Sequence, residues 1–359
     1  LLEAVTSNAP TLEFIERLVG LYRRTKRQSD LANALRTLAN LIQEPPEIAR
    51  LQTERGELLR IHLNDTDGAI EAFTQALGCD PSHRDAVAGL LEVYRERERF
   101  PELARLLERA IRLESGTNAG YLRIELGRLQ AEVLGRTVEA VETLERARDV
   151  LPNDPEPLRL LGRLYRNSEQ LGYACERYRT LYEIYVLEGF DEPVAPFLNR
   201  YASILEGLDR VDEALDIYRR AVDADPDYLE TYDQAQDLLL RVGHLEDVVD
   251  FVLSGLEHAS LPKTRGPLCV RAGRFLWREL RRPEEARPLL EEAAEWSPDD
   301  TGIRQIRLEV ATALSDWPRV AELLNAQLDV ATAADKPALL VRLAKLALKE
   351  RKRPEQGIE

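Results

Sequence analysis

Residues 69–81 read AIEAFTQALGCDP. The apolar residues Ala69, Ile70, Phe73, Ala76 and Leu77 fall at offsets 0, 1, 4, 7 and 8, one stripe on a helix of 3.6 residues per turn. Asp80-Pro81 closes that helix. Proline disfavours helical backbone at the residue before it, and its fixed φ suits the first turn of a following helix. The same grammar recurs at Leu151-Pro152, Asp225-Pro226 and Ser297-Pro298, where each proline lies twelve residues beyond a small residue: Ala140, Ala214 and Ala286.

Between these copies lies a second set with the same helical pattern and no such proline, anchored at Leu31, Leu103, Ala174, Val248 and Val320. The anchors advance by 38, 34, 37, 34, 40, 34, 38 and 34, so the repeating unit is a doublet of about 72 residues made of two unlike helical hairpins. The first kind runs from Gly56-Glu57-Leu58-Leu59 through the turn Asn64-Asp65-Thr66-Asp67 to Ala69, with sister copies at Leu126-Gly127, Tyr201-Ala202, Ala272-Gly273 and Leu343-Ala344. The second kind runs from Leu90-Leu91-Glu92-Val93-Tyr94 to Phe100, three residues before Leu103. Leu171, Leu245 and Trp317 hold that offset in its sisters, whereas Gln28 departs from it. Small residues are expected where two helices cross closely, because a larger side chain there costs roughly 1–3 kcal/mol. Phe73, Tyr94, Tyr165, Tyr178 and Tyr218 are expected to fill the grooves between hairpins.

Leu161-Gly162 with Tyr165, Ala174 and Tyr178, and Tyr201-Ala202 with Ala214, Tyr218, Ala221 and Pro226, resemble the tetratricopeptide repeat signature. The resemblance covers about residues 12 to 331. It implies an all-α fold: a right-handed superhelical α-solenoid of about nine full hairpins plus a half at each end, whose first helices line a concave face that holds partner proteins or peptides. The expected organisation is one solenoid over 1–359, with doublets at about 46–115, 116–190, 191–262 and 263–334 and partial units at 1–45 and 335–359. Leu1-Leu2-Glu3-Ala4 fits the tail of a second helix, and Pro354-Glu355-Gln356-Gly357 matches Pro283-Glu284-Glu285-Ala286 at the start of one. Both ends therefore read as cut repeats of a longer array.

With 44% apolar and 31% charged residues the composition is that of a folded, helix-rich chain rather than a disordered one. The net charge of −15 disfavours nucleic acid, whose binders carry a basic face that releases phosphate counterions. Arginine outnumbers lysine 43 to 6, which reads as the codon bias of a GC-rich bacterial genome; a bacterial, cytoplasmic chain is the expectation. Cys79, Cys175 and Cys269 lie too far apart for a metal site and are odd in number, so they read as small buried hydrophobes. No apolar run approaches the 18 or so residues a membrane helix needs. His62, His83, His244 and His258 have no ligand spacing, and Glu284-Glu285 and Glu291-Glu292 read as solvated faces or helix N-terminal charges. No phosphate loop, nucleophile elbow or shielded carboxylate pair is present, so neither catalysis nor a cofactor is expected.

The candidate site is a basic strip on the first helices. Carrying the family's concave face onto this sequence selects Arg128, Arg159, Arg163, Arg166, Asn167, Asn199, Arg200, Arg271, Arg274 and Arg278. Arg159, Arg163 and Arg166 stand at i, i+4 and i+7, on one stripe. Such a strip could hold an acidic segment or a C-terminal carboxylate through forked hydrogen bonds; the family's Lys/Asn carboxylate clamp is not reproduced. The alternative for the same residues is pairing with Glu and Asp across hairpins. Three functions stay open: a scaffold for protein segments, an arm of a larger enzyme or secretion assembly, and a helical-repeat RNA binder, the last disfavoured by charge and by the lack of a recurring polar pair.

Overall fold

The computed structural model describes residues 11–330 and 336–351, and the all-α expectation holds: among the described residues there are 19 helices and no strands. In chain order they are α1 (Leu12–Thr25), α2 (Gln28–Leu41), α3 (Pro45–Ile61), α4 (Thr66–Cys79), α5 (Arg84–Glu96), α6 (Phe100–Leu113), α7 (Gly116–Glu132), α8 (Thr137–Val150), α9 (Pro155–Asn167), α10 (Leu171–Glu188), α11 (Val194–Gly207), α12 (Val211–Ala224), α13 (Leu229–Val242), α14 (Leu245–His258), α15 (Pro262–Arg278), α16 (Pro283–Trp296), α17 (Thr301–Ala313), α18 (Trp317–Val330) and α19 (Lys336–Arg351). The expectations for residues 1–10 and 352–359 lie outside the described residues.

Helix starts follow the sequence offsets closely. Phe100, Leu171, Leu245 and Trp317 open α6, α10, α14 and α18. Gln28 opens α2 as well, because glutamine is a good helix former and the stripe begins only at the buried Leu31.

The four prolines act differently from the expectation. Asp80, Leu151, Asp225 and Ser297 do end helices, but the prolines that follow do not enter the next helix. Each sits second in a four-residue turn. His83, Asp154, Tyr228 and Asp300 donate their backbone N–H to the carbonyls of Asp80, Leu151, Asp225 and Ser297, all at 3.2 Å. Proline pre-sets φ for that turn position. Three of the four turn-closing residues then cap the next helix: His83 Nδ1 accepts from the Ala86 N–H, Asp154 from Glu156, and Asp300 from Gly302 and Ile303.

Each hairpin turn has one residue in the left-handed region: Lys26, Asn64, Glu98, Gly135, Glu169, Asp209, Gly243, Arg281 and Ser315. These nine turns define nine hairpins, α1/α2 through α17/α18. Only two use glycine, the residue with no steric penalty there, so a glycine search would have missed seven of them.

The two kinds of hairpin differ in how tightly they close. The most extensive helix pairs are α3/α4, α7/α8, α11/α12 and α15/α16, all of the first kind. Their small residues explain it. A methyl group on Gly56 would lie 2.7 Å from Phe73 Cε1, one on Gly127 2.5 Å from Leu144 Cγ, and one on Gly273 2.7 Å from Leu290 Cγ. Ala69, Ala140, Ala214 and Ala286 on the facing helices are each 0% exposed, so the crossings leave no room for larger groups.

The chain forms two compact units, Leu1–Ile184 and Tyr185–Glu359. Within the first, α3 packs on α5 and α7 on α9; within the second, α11 packs on α13 and α15 on α17. In each unit the odd-numbered helices therefore neighbour one another as well as their hairpin partners, and Leu, Val, Ala and aromatic side chains from both helix sets form the core.

Candidate functional site

The odd-numbered helices carry all ten strip residues, and most of the arginines are already neutralised. In the first unit, Arg128 of α7 and Arg159 of α9 both reach Glu156, at 2.5 Å each. Arg163 pairs with Glu132 on α7. Arg166 makes no ion pair among the described residues, and Asn167 is the exposed last residue of α9. In the second unit, Arg200 pairs with Glu192, which also accepts from the Tyr185 hydroxyl at 3.0 Å. Asn199 is 3% exposed; its Oδ1 accepts from Thr231 Oγ1 at 3.0 Å, so its carbonyl oxygen is spent holding α11 to α13. Arg271 pairs with Asp233 on α13. Arg274 and Arg278 make no ion pair among the described residues.

Partners about one repeat away are the rule. Arg23–Glu54, Arg60–Glu96, Arg95–Glu125 and Arg241–Glu206 link odd helices in the same manner, 30 to 36 residues apart. Exposed pairs of this type are worth only ~0–1 kcal/mol each. Their larger effect is to cancel the charge of the face they line.

Two of the three strip arginines left without an ion pair among the described residues, Arg274 and Arg278, line one cavity. A cavity of about 590 Å³ opens between α13, α15 and α17. Arg271, Arg274 and Arg278 stand at i, i+3 and i+7 along its α15 wall, over an apolar floor that includes Val270, Phe275 and Ile303; Glu279 and Asp300 share the lining, the latter engaged by the N–H groups that open α17. Two polar atoms at its edge are buried without a hydrogen-bond partner: Gln236 Oε1 from α13 and Arg271 Nη1. Of the strip, Arg271, Arg274 and Arg278 are thus gathered at one cavity, whereas Asn199 and Arg200 of α11 are engaged elsewhere. Gln236 gave no sequence signal, because a lone glutamine on a helix looks like any solvated side chain.

Glu291 and Glu292 correct the sequence reading. They are partly buried and committed: Glu292 accepts from Arg265 at 2.7 Å, and Glu291 accepts from Arg307 and from Arg319, whose Nε lies 3.1 Å away. Burial pushes the Glu291 carboxyl up, but the hydrogen bonds from Arg319 and Arg307 outweigh it and hold it below the usual carboxylate range. Cys175 and Cys269 are buried, and Cys79 is half-buried. Burial pushes the Cys269 thiol up to about 12, so it is not a ready nucleophile. Among the described residues no group of three His, Cys, Asp or Glu could hold a metal, and no helix is long and apolar enough to cross a membrane.

The tetratricopeptide repeat profile matches residues 26–84, covering α2 to α4, and again residues 195–228, covering α11, α12 and the proline turn. These two segments are tetratricopeptide repeats. Solved structures similar to it include YrrB, described as a tetratricopeptide protein with an unusual peptide-binding site, at 23% identity, covering 51% of this chain and 89% of that one, TM-score 0.39. A tetratricopeptide repeat protein from Parabacteroides merdae aligns at 15% identity over 74% of this chain and 98% of its own, TM-score 0.39. The C-terminal part of a repeat protein from Cytophaga hutchinsonii aligns at 16% identity over 65% and 90%, TM-score 0.44. No curated protein matches the sequence. Tetratricopeptide repeats are in general a protein-interaction architecture, and the two matched segments have that architecture.

Proposed function

We propose that this tetratricopeptide chain is a non-catalytic scaffold that holds an acidic segment of a partner protein in the cavity between α13, α15 and α17. One observation carries the reading: Arg274 and Arg278 line that cavity without an ion pair among the described residues, on a helix whose other two arginines, Arg265 and Arg271, are both paired. Guanidinium forks match carboxylates two bonds at a time. The apolar floor supplies area for a side chain of the same segment. Arg271, whose second nitrogen is buried without a partner, adds a donor at the entrance.

The net charge of −15 bears on what can bind. A long polyanion is repelled by the molecule as a whole, whereas a short acidic segment feels mainly the local arginines within a Debye length of roughly 8–10 Å. Protein is therefore favoured over nucleic acid. The test is fluorescence anisotropy of a labelled hexaglutamate peptide and of a uridine oligonucleotide. The peptide is expected to bind, to weaken about tenfold or more in R274E/R278E, and to weaken with added salt. The pair R159E/R163E, already neutralised by Glu156 and Glu132, is expected to change affinity less. Unchanged peptide affinity in R274E/R278E, or preferential binding of the oligonucleotide, overturns the reading.

A further inference from the structure

A second cavity, of about 540 Å³, lies in the first unit on the other side of the odd-numbered helices. It is walled by α6 and α8 and floored by α7. Its construction departs from the repeat. The backbone sets the register: Arg136, Asp65, Arg210 and Arg282, which stand just before α8, α4, α12 and α16, donate to the carbonyls of Gln130, Leu59, Leu205 and Leu276. Those four acceptors are therefore equivalent positions. Three are leucines buried in the core at 7%, 1% and 2% exposure; the fourth is Gln130, at 5%. Its Oε1 is buried without a hydrogen-bond partner. Two helical turns earlier on the same stripe, the four copies carry Gln52, Arg123, Leu198 and Cys269. The copy in α7 thus has an amide where its three sisters have a buried leucine, and a guanidinium where they have Gln52, Leu198 and Cys269; both line the cavity.

An orphaned amide in a leucine position lowers stability, because its desolvation is not compensated within the fold. Such local violations of the packing rules occur where function needs them. The walls match this. Arg112 of α6, Arg146 of α8 and Arg123 of the floor form no ion pair among the described residues, in a molecule where arginines are commonly paired. Glu108, Glu139 and Glu142 share the lining, and only Glu139 is engaged, by Arg136 at 3.6 Å.

We infer that this α6/α7/α8 cavity is a second ligand site, distinct from the α13/α15/α17 cavity, for a carboxylate flanked by N–H donors. The carboxylate is taken by Arg123 with Arg112 and Arg146. The N–H donors, from a peptide backbone or an amino group, face Glu139, Glu142 and the Gln130 amide. Three lining carboxylates disfavour a doubly charged phosphate, whereas a single carboxylate beside N–H groups suits both signs. An acidic polypeptide and a free acidic amino acid share this chemistry.

The test uses the full chain carrying R274E/R278E, so that the other cavity does not contribute. Hexaglutamate peptide and free L-glutamate are titrated calorimetrically. Binding of the peptide alone makes a polypeptide the source, and comparable binding of L-glutamate makes it the free amino acid; either supports the site. Replacing Arg123 by the residue of the α11 copy, R123L, is expected to weaken binding about tenfold or more. Q130L is expected to weaken it several-fold while raising the thermal midpoint of the unliganded chain by about a few degrees. A Q130L chain that is more stable also removes misfolding as an explanation. Absence of binding by both probes, or binding that R123L and Q130L leave unchanged, overturns the inference.

Discussion

The α7/α8 hairpin and the α15/α16 hairpin are copies of one design that have diverged at matched positions. Gly127 closes on Leu144 as Gly273 closes on Leu290, and Ala140 and Ala286 occupy the same fully buried place. Glu145 and Glu291 follow those leucines and each holds two arginines, Arg148 and Arg177 in one case, Arg307 and Arg319 in the other. The floor of the groove differs. Where α15 has Cys269 and Leu276, α7 has Arg123 and Gln130. The small residue at the crossing and the leucine opposite are what the hairpin needs in order to close. Positions one turn to either side can turn polar without loss of the helix pair, and there the copies acquire different surfaces.

The largest expected effect tests the shared part. L144A and L290A each delete a side chain at most 1% exposed and should cost about 2–5 kcal/mol in chemical unfolding. Costs that differ by much more than 1 kcal/mol would break the equivalence of the two crossings. Next in size is the transplant of the divergence: L276Q should cost about 1–3 kcal/mol, the mirror of the gain expected from Q130L. A neutral L276Q would mean that the α15 floor tolerates an amide and that Gln130 is no special feature.

The smallest effects come from pH and should separate the copies. Glu291 is held below its ordinary value of 4.5, so its share of stability is present above that pH and is lost as pH falls through the depressed value. E291Q should flatten the acid side of the stability profile. Tyr165, against the α7/α8 copy, has its hydroxyl pushed up to about 12 by burial and by its hydrogen bond to Glu145 at 2.9 Å. Its share is present below pH 10 and lost between there and about 12, and Y165F should remove that alkaline loss, on the order of 2 kcal/mol. Stability profiles that move at the same end for both variants would show that the two charge clusters do not act separately.

Much of this was legible in the chain. The stripe Ala69, Ile70, Phe73, Ala76, Leu77 and the twelve-residue step to Pro81 state a helix, its buried face and its end, because those depend on neighbours within a few residues. The left-handed turn positions at Glu98, Glu169 or Arg281 were illegible: they are imposed by the helix packing on either side, not by a residue that prefers them. The basic strip was legible as a set of residues and not as a site. Arg159 and Arg274 look alike in sequence; one meets Glu156 and the other faces a cavity.

The sequence by itself therefore determined the helices, their pairing into nine hairpins and the alternation of two designs, since local periodicity and steric fit at the crossings leave little else. Tertiary structure alone decided which charges survive. Partners about one repeat apart come within hydrogen-bond reach only once neighbouring hairpins are stacked, and that stacking leaves Arg274, Arg278 and Arg123 over open cavities while Arg128 and Arg163 are neutralised.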